Sequence, residues 1–176
     1  MALQLLNPGS QFGPGSVVQV VSATNVIAVS TSATIPYDNT IPQNTEGAEI
    51  ITCSITPKNA SSVLVVKGYL VQFLQDASAP TKTNSIYALF RDSTSDAIKT
   101  VNVASIGSAW TVTNYTFILA VPMAAQIVAG SVSATTFKIR AGATSSNGAP
   151  TTQYYNNYIS FNNTEGSRLE IWEIAA

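Results

Sequence analysis

Residues 63–74 read VLVVKGYLVQFL and form the longest apolar stretch of the chain. Successive side chains of a β-strand point to opposite faces. Both of these sets are apolar here: Val63, Val65, Tyr69, Val71 and Phe73 on one face, and Leu64, Val66, Leu70 and Leu74 on the other. Such a strand is either central in a β-sandwich or covered on its outer face by another subunit. Lys67, in the middle of the strand, must reach solvent or a carboxylate.

Further short β-runs lie on both sides of this stretch, separated by turn clusters rich in Gly, Pro, Asn, Asp and Ser. The runs cover residues 17–21, 25–30, 49–56, 86–90, 97–106, 113–121, 135–140, 154–161 and 168–174. No segment has a convincing helical period, and residues 123–128 are the one place where a helical turn would fit. The pattern predicts an all-β fold: an antiparallel, jelly-roll-like β-sandwich of eight to ten short strands.

Residues 1–16 are predicted to form an extended N-terminal arm, and residues 17–176 a single β-sandwich domain. Leu3, Leu5 and Leu6 precede two Pro-Gly breaks, at residues 8–9 and 14–15, which prevent regular structure. The arm is either a frayed terminus or a tether that anchors the three leucines on a neighbouring subunit. Burying them would contribute about 5–8 kcal/mol, which the cost of ordering the backbone offsets. Ordering therefore needs backbone hydrogen bonds to a partner as well.

The charge of the chain excludes several classes of function. Its 176 residues include 8 Lys and Arg, 9 Asp and Glu, no His and one Cys, for a net charge of −1. A nucleic-acid binder normally carries a basic excess, and Ser-His-Asp triads and zinc sites usually need His. One cysteine cannot form an internal disulfide. Only 10% of residues are charged, against about 25% in an ordinary domain, so the surface tolerates self-association.

No apolar run approaches the length of a membrane helix, and residues 1–6 lack the basic segment of a secretory signal. The sequence therefore predicts a chain that is made in a cytoplasm and has neither a membrane nor a nucleic acid as its partner.

Carboxylates are the remaining option for catalysis, and their positions argue against it. Glu170 and Glu173 differ in strand parity, so a regular strand places them on opposite faces, whereas a glycosidase needs two carboxyls across one cleft. Asp92 and Asp96 lie in a Ser/Thr-rich turn, where Asp usually caps backbone amides, and the turn lacks the Gly and distal Glu of a calcium loop. Cys53 falls on a core face. No catalytic residue, metal or cofactor is predicted.

The best candidates for ligand binding are Tyr154, Tyr155 and Tyr158, which lie among asparagines in residues 154–163. Aromatic faces stack on sugar rings, and Asn amides can bond to hydroxyls, so this segment suits a neutral glycan. The alternative is an ordinary strand, because Tyr and Phe are strand formers.

Several stretches together resemble a family of small tailed-bacteriophage virion proteins, often labelled tail-fibre or structural proteins. They are GSVVQVV (15–21), IPQNTEG (41–47), ITPK (55–58), ALFRDST (88–94), SATTFKIRAG (133–142) and LEIWEI (169–174). The resemblance covers most of residues 15–176. It implies a virion surface protein built as a β-sandwich, trimeric and without enzymatic activity.

The leading hypothesis is a non-enzymatic bacteriophage protein on the outer surface of the virion, a homotrimeric capsid decoration or cement subunit that contacts the major capsid protein. The alternative is a tail-fibre or tail-tip adhesin that binds a host-surface glycan. A third hypothesis, a carbohydrate-binding module of a bacterial enzyme, predicts a fused catalytic domain and a secretion signal.

Overall fold

The computed structural model describes residues 13–76, 85–103, 115–144, 152–156 and 166–176. Within these ranges the regular elements are ten β-strands, and there is no helix. The strands are β1 Val17–Asn25, β2 Val29–Thr31, β3 Ala48–Ile55, β4 Val63–Asp76, β5 Ser85–Arg91, β6 Lys99–Val103, β7 Tyr115–Val128, β8 Thr135–Ala143, β9 Gln153–Tyr155 and β10 Ser167–Ile174. The all-β prediction is confirmed.

The strands form two antiparallel sheets. Sheet A has the order β1-β10-β4-β9-β2, with β7 on the other side of β4, and sheet B has the order β3-β8-β5-β6. When the three-residue strands β2 and β9 are set aside, eight strands remain. Among them β1 pairs with β10, β3 with β8, β4 with β7, and β5 with β6. The outermost strands in the sequence thus pair with each other, and each inner pair lies within the previous one. This nested pairing is that of a jelly roll, two Greek keys wrapped into two sheets.

The central strand of sheet A is β4, as its two apolar faces predicted. It pairs with β7 from Val63 to Asp76, and its other side pairs first with β10 and then with β9. Leu64, Val66 and Leu70 point inward and are buried. The opposite face of β4 is only partly covered within the single chain.

The main core lies between the two sheets. Its largest fully buried side chains are Tyr87, Tyr155, Phe137, Leu64, Leu70, Leu89, Ile55, Ile139, Leu169 and Ile171. Each large apolar side chain contributes about 1.5–3 kcal/mol when it is removed from water. Cys53 faces this core, as its strand parity predicted. A second, smaller cluster on the outer face of sheet B joins Ile35 to the β5 residues Ile86, Ala88 and Phe90.

The structure corrects three local predictions. Residues 123–128 are strand and not a helical turn, because β7 pairs with β4 along its whole length. The run predicted over 25–30 is interrupted: β1 continues to Asn25, and β2 begins only at Val29. In the run predicted over 97–106, the strand begins at Lys99.

Candidate functional site

Residues 13–16, the described end of the predicted arm, lie beside Ala175. The Ser16 N–H donates to the Gly13 carbonyl (3.1 Å), which closes a turn with Pro14 and Gly15 at its centre. Gly15 has a φ of 83°, the left-handed conformation that a type II turn requires at this position. The Gly15 N–H also donates to the Ala175 carbonyl (2.8 Å). The base of the arm is therefore fixed to the end of the β1–β10 pair.

Leu3, Leu5 and Leu6 lie outside the described residues, so anchoring by the arm stays a prediction.

The three candidate tyrosines have different surroundings. Tyr154 is partly exposed, Tyr155 is completely buried, and Tyr158 lies outside the described residues. The Tyr155 hydroxyl donates to Gln153 Oε1 (2.6 Å), and its ring meets Tyr87 edge-on with 6.1 Å between centroids. In this arrangement the Tyr155 ring packs in the core and reaches no surface ligand. Stacking on a glycan by Tyr154 and Tyr158 stays a prediction.

A buried polar network lies beneath Tyr154 and joins the two sheets. Gln72 Nε2 and Gln153 Nε2 both donate to Ser85 Oγ, at 2.6 and 2.8 Å, and the Tyr87 hydroxyl donates to Gln72 Oε1. Burial raises the pKa of the Tyr87 and Tyr155 hydroxyls, so both remain neutral donors. A satisfied network of this kind fixes how the sheets pack, and it offers no group that ionises near neutral pH.

The sequence analysis missed this network. Gln72 was a signal that could have found it, because it interrupts an apolar run on the face that points inward.

Next to the network, Asn156 and Ser167 form a hydrogen-bonded closure between β9 and β10. Strand β9 ends at Tyr155, residues 157–161 of the predicted run lie outside the described residues, and β10 begins at Ser167 on the same side of β4. Asn156 Oδ1 accepts the N–H and the hydroxyl of Ser167, at 2.9 and 2.7 Å. Both residues also bond to Val71: the Asn156 N–H donates to its carbonyl, and Ser167 Oγ accepts its N–H. They thus replace the interrupted backbone ladder.

The outer face of sheet A carries a shallow groove of about 410 Å³. Its lining residues are Lys67, Gly68, Tyr69, Pro122, Met123, Ala124, Arg168 and Glu170. The Lys67 ammonium lies 4.8 Å from the centroid of the Trp172 ring, a cation–π contact. Arg168 Nη2 lies 3.0 Å from Glu170 Oε1. Trp172 Nε1 has no hydrogen-bond acceptor among the described residues.

The carboxylates serve the fold. Glu170 points outward and Glu173 inward, as their parity predicted. Desolvation would raise the pKa of Glu173, but hydrogen bonds from Gln19 and from the Lys58 and Asn59 N–H groups outweigh it, so the pKa lies below its ordinary value.

Asp92 Oδ1 caps a backbone amide, as predicted, by accepting the Thr136 N–H (2.8 Å). Burial raises the pKa of the Cys53 thiol, which disfavours the reactive thiolate. Among the described residues no three His, Cys, Asp or Glu side chains group as metal ligands. That part of the chain also contains no helix long and apolar enough to cross a membrane.

No protein-family model matches the chain, and no curated protein matches it. Solved structures of infectious bursal disease virus resemble it weakly. The VP2 subviral particle is 16% identical with a TM-score of 0.41, and the match covers 99% of this chain and 37% of that one. The virus-derived T=1 particle is 15% identical with a TM-score of 0.40, and the match covers 99% of this chain and 36% of that one. The chain thus spans well under half the length of these proteins.

Proposed function

We propose that this chain is a non-enzymatic structural protein of a virus particle, a homotrimeric decoration or cement subunit on the outer surface of a bacteriophage capsid. The observation that carries the proposal is the hydrogen-bonded corner at Gly15 and Ala175, which follows the predicted arm and its Leu3, Leu5 and Leu6 in the sequence. The sequence segments that resemble phage virion proteins support the same role.

A jelly roll with a tether stabilises a shell by joining subunits. The sandwich is held by a large apolar core and by the neutral polar network between its sheets, so it acts as a rigid body. Each arm contact with the major capsid protein or a neighbouring copy is weak alone, because ordering the arm costs backbone entropy. A lattice makes these contacts multivalent, and many weak contacts then hold the shell together.

The test uses particles assembled without this chain, to which the purified protein is added back. Full-length protein is expected to bind the heads and to raise the temperature at which they release their genome. Protein lacking residues 2–12 is expected to bind in fewer copies, whereas Gln4→Ala, a control within the arm that keeps all three leucines, binds as the wild type does. Equal occupancy by the deletion variant would remove the arm from the mechanism. Failure of the full-length protein to bind heads would refute decoration.

The alternative is an adhesin on a tail fibre or tail tip. The partial exposure of Tyr154 beside the Asn156–Ser167 closure favours it, since Tyr154 and Tyr158 could stack on a neutral host glycan. An adhesin should bind host cells and compete with infection, and Tyr154→Ala should weaken both effects. The matched control is Tyr37→Ala, because Tyr37 is an exposed tyrosine in the segment between β2 and β3. No cell binding at micromolar concentration would contradict this alternative.

A further inference from the structure

The outer faces of the two sheets differ in chemistry. On sheet B the outward residues of β3 and β8 are polar or charged, and Lys138 lies 4.0 Å from Glu49 across the strands. The β5 part of that face is covered by the chain's own Ile35. Sheet B therefore presents a polar, largely self-covered surface, which resists association.

The outer face of sheet A is open and mostly apolar. Its outward apolar residues are Val17, Val20, Val63, Val65, Tyr69, Pro122, Ala124, Val128, Trp172 and Ile174. Val17, Val20 and Val128 are 44%, 46% and 57% exposed. The charged side chains described on this face are Lys67, Arg168 and Glu170, and Lys67 and Arg168 are held against neighbours on the same face. Charge-poor apolar surface of this kind is typical of interface cores.

One edge of this face is a long strand without charge. β7 contains 14 residues, YTFILAVPMAAQIV, and within the described residues it pairs only with β4. Proteins usually protect such an edge with charges, or keep it short. One of the two edge strands of sheet B does both, since β6 has five residues and begins with Lys99. On β7, Pro122 lacks a backbone donor, and Arg91 Nη1 donates to the Val128 carbonyl at the end of the strand. The part of the edge before Val128 stays a surface to which another chain can bind.

We propose that the outer face of sheet A, with β7 at its rim, is the surface on which a second copy of this chain docks. The charges allow the heterologous contact that a three-fold ring requires, because the cations Lys67 and Arg168 of one copy can meet Glu170 of the next. This inference rests on the self-association contained in the proposed function and is independent of the virus particle.

The size of the face indicates how strong the contact is. Four strands spaced by about 4.8 Å and seven residues of about 3.3 Å give roughly 440 Å² for this face. Two copies that dock through it would bury about 880 Å² in total, a size typical of a weak or transient interface.

The test compares two substitutions of matched geometry. Ala124 is exposed on sheet A directly opposite Lys67, and Thr52 is exposed on sheet B directly opposite Lys138. Ala124→Glu and Thr52→Glu each place a carboxylate opposite a lysine, a cross-strand pair that is compatible with the monomer fold. Thermal unfolding of both variants checks that the fold is kept.

Sedimentation equilibrium from about 1 to about 100 µM then measures self-association. The wild type is expected to be oligomeric, Ala124→Glu to raise the dissociation constant at least about tenfold, and Thr52→Glu to leave it unchanged. A monomeric wild type, an unchanged constant in Ala124→Glu, or equal weakening by both variants would overturn the proposal. If the wild type associates through this face but does not bind heads, the decoration role fails while this inference stands.

Discussion

Glu173 is the buried carboxylate whose replacement should cost the fold most. It points inward from β10 and is fully buried. Its Oε1 accepts the Lys58 and Asn59 N–H groups at 2.8 and 3.1 Å, and its Oε2 accepts Gln19 Nε2 at 2.6 Å. One side chain thus joins β1 and the β3–β4 connection to the end of β10.

Glu173→Gln keeps the shape of the side chain but replaces one acceptor oxygen by an amide donor. That amide donor must face either Gln19 or the two backbone N–H groups, which are donors themselves. At least one charged hydrogen bond, worth about 1.5–3 kcal/mol, is therefore lost, and a buried donor is left without an acceptor. Relief of the carboxylate's desolvation offsets part of the loss. We expect a decrease of about 3 kcal/mol in the free energy of unfolding, or roughly 6–12 °C in Tm for a chain of this size.

Urea unfolding followed by tryptophan fluorescence measures the change, with Glu49→Gln as the control. Glu49 lies on the outer face of sheet B, and its ion pair with Lys138 is partly exposed, so its loss should cost less than about 1 kcal/mol. A decrease under about 1 kcal/mol in Glu173→Gln, or equal decreases in both variants, would refute the reasoning.

The pH dependence of stability follows from the same contacts. The pKa of Glu173 is lower in the folded chain than its ordinary value of 4.5. Its stabilisation is therefore complete above about pH 4.5 and is lost as the pH falls through the lowered folded-state pKa. The wild type should lose stability over this acid range more steeply than Glu173→Gln, and identical pH profiles would contradict the assignment.

Two further substitutions test the packing beside the Asn156–Ser167 closure and the buried network. A Cβ at residue 166 would clash with the Asn25 carbonyl oxygen, so Gly166→Ala should lower stability by about 2–3 kcal/mol. Gly13→Ala meets nothing within 4 Å and should have little effect. Thermal unfolding distinguishes the two variants, and equal Tm values would contradict the packing. Tyr155→Phe removes the hydrogen bond to Gln153 Oε1 and leaves this buried acceptor unpaired, so the free energy of unfolding should fall by about 1–2 kcal/mol. Urea unfolding measures the change, and a stability equal to that of the wild type would show that this hydrogen bond contributes nothing.

The strands were predictable because their patterns are local. The apolar alternation of residues 51–55 and the two apolar faces of residues 63–74 define strands without knowledge of their neighbours. The opposite directions of Glu170 and Glu173 follow from parity alone. These features need only the two-residue period of a strand.

The interruptions of the strands were not predictable, because long-range contacts cause them. Tyr154, Tyr155 and Asn156 lie in a run that favours a continuous strand, but β9 ends at Tyr155. Asn156 has a φ of 54° and bonds to Val71 and Ser167 instead. The small and mixed residues of 123–128 give a weak local signal, which pairing with β4 overrides. The buried network likewise joins residues as far apart in sequence as Gln72 and Gln153.

The most direct test of the central claim is the location of this chain on intact particles by electron cryomicroscopy, with a variant carrying an added density at Ala176 as the marker. The account predicts three-fold clusters of jelly rolls on the head, at junctions between shell subunits, with connecting density from the Gly13 corner to a neighbour. Density confined to the tail, or isolated single copies on the head, would contradict it.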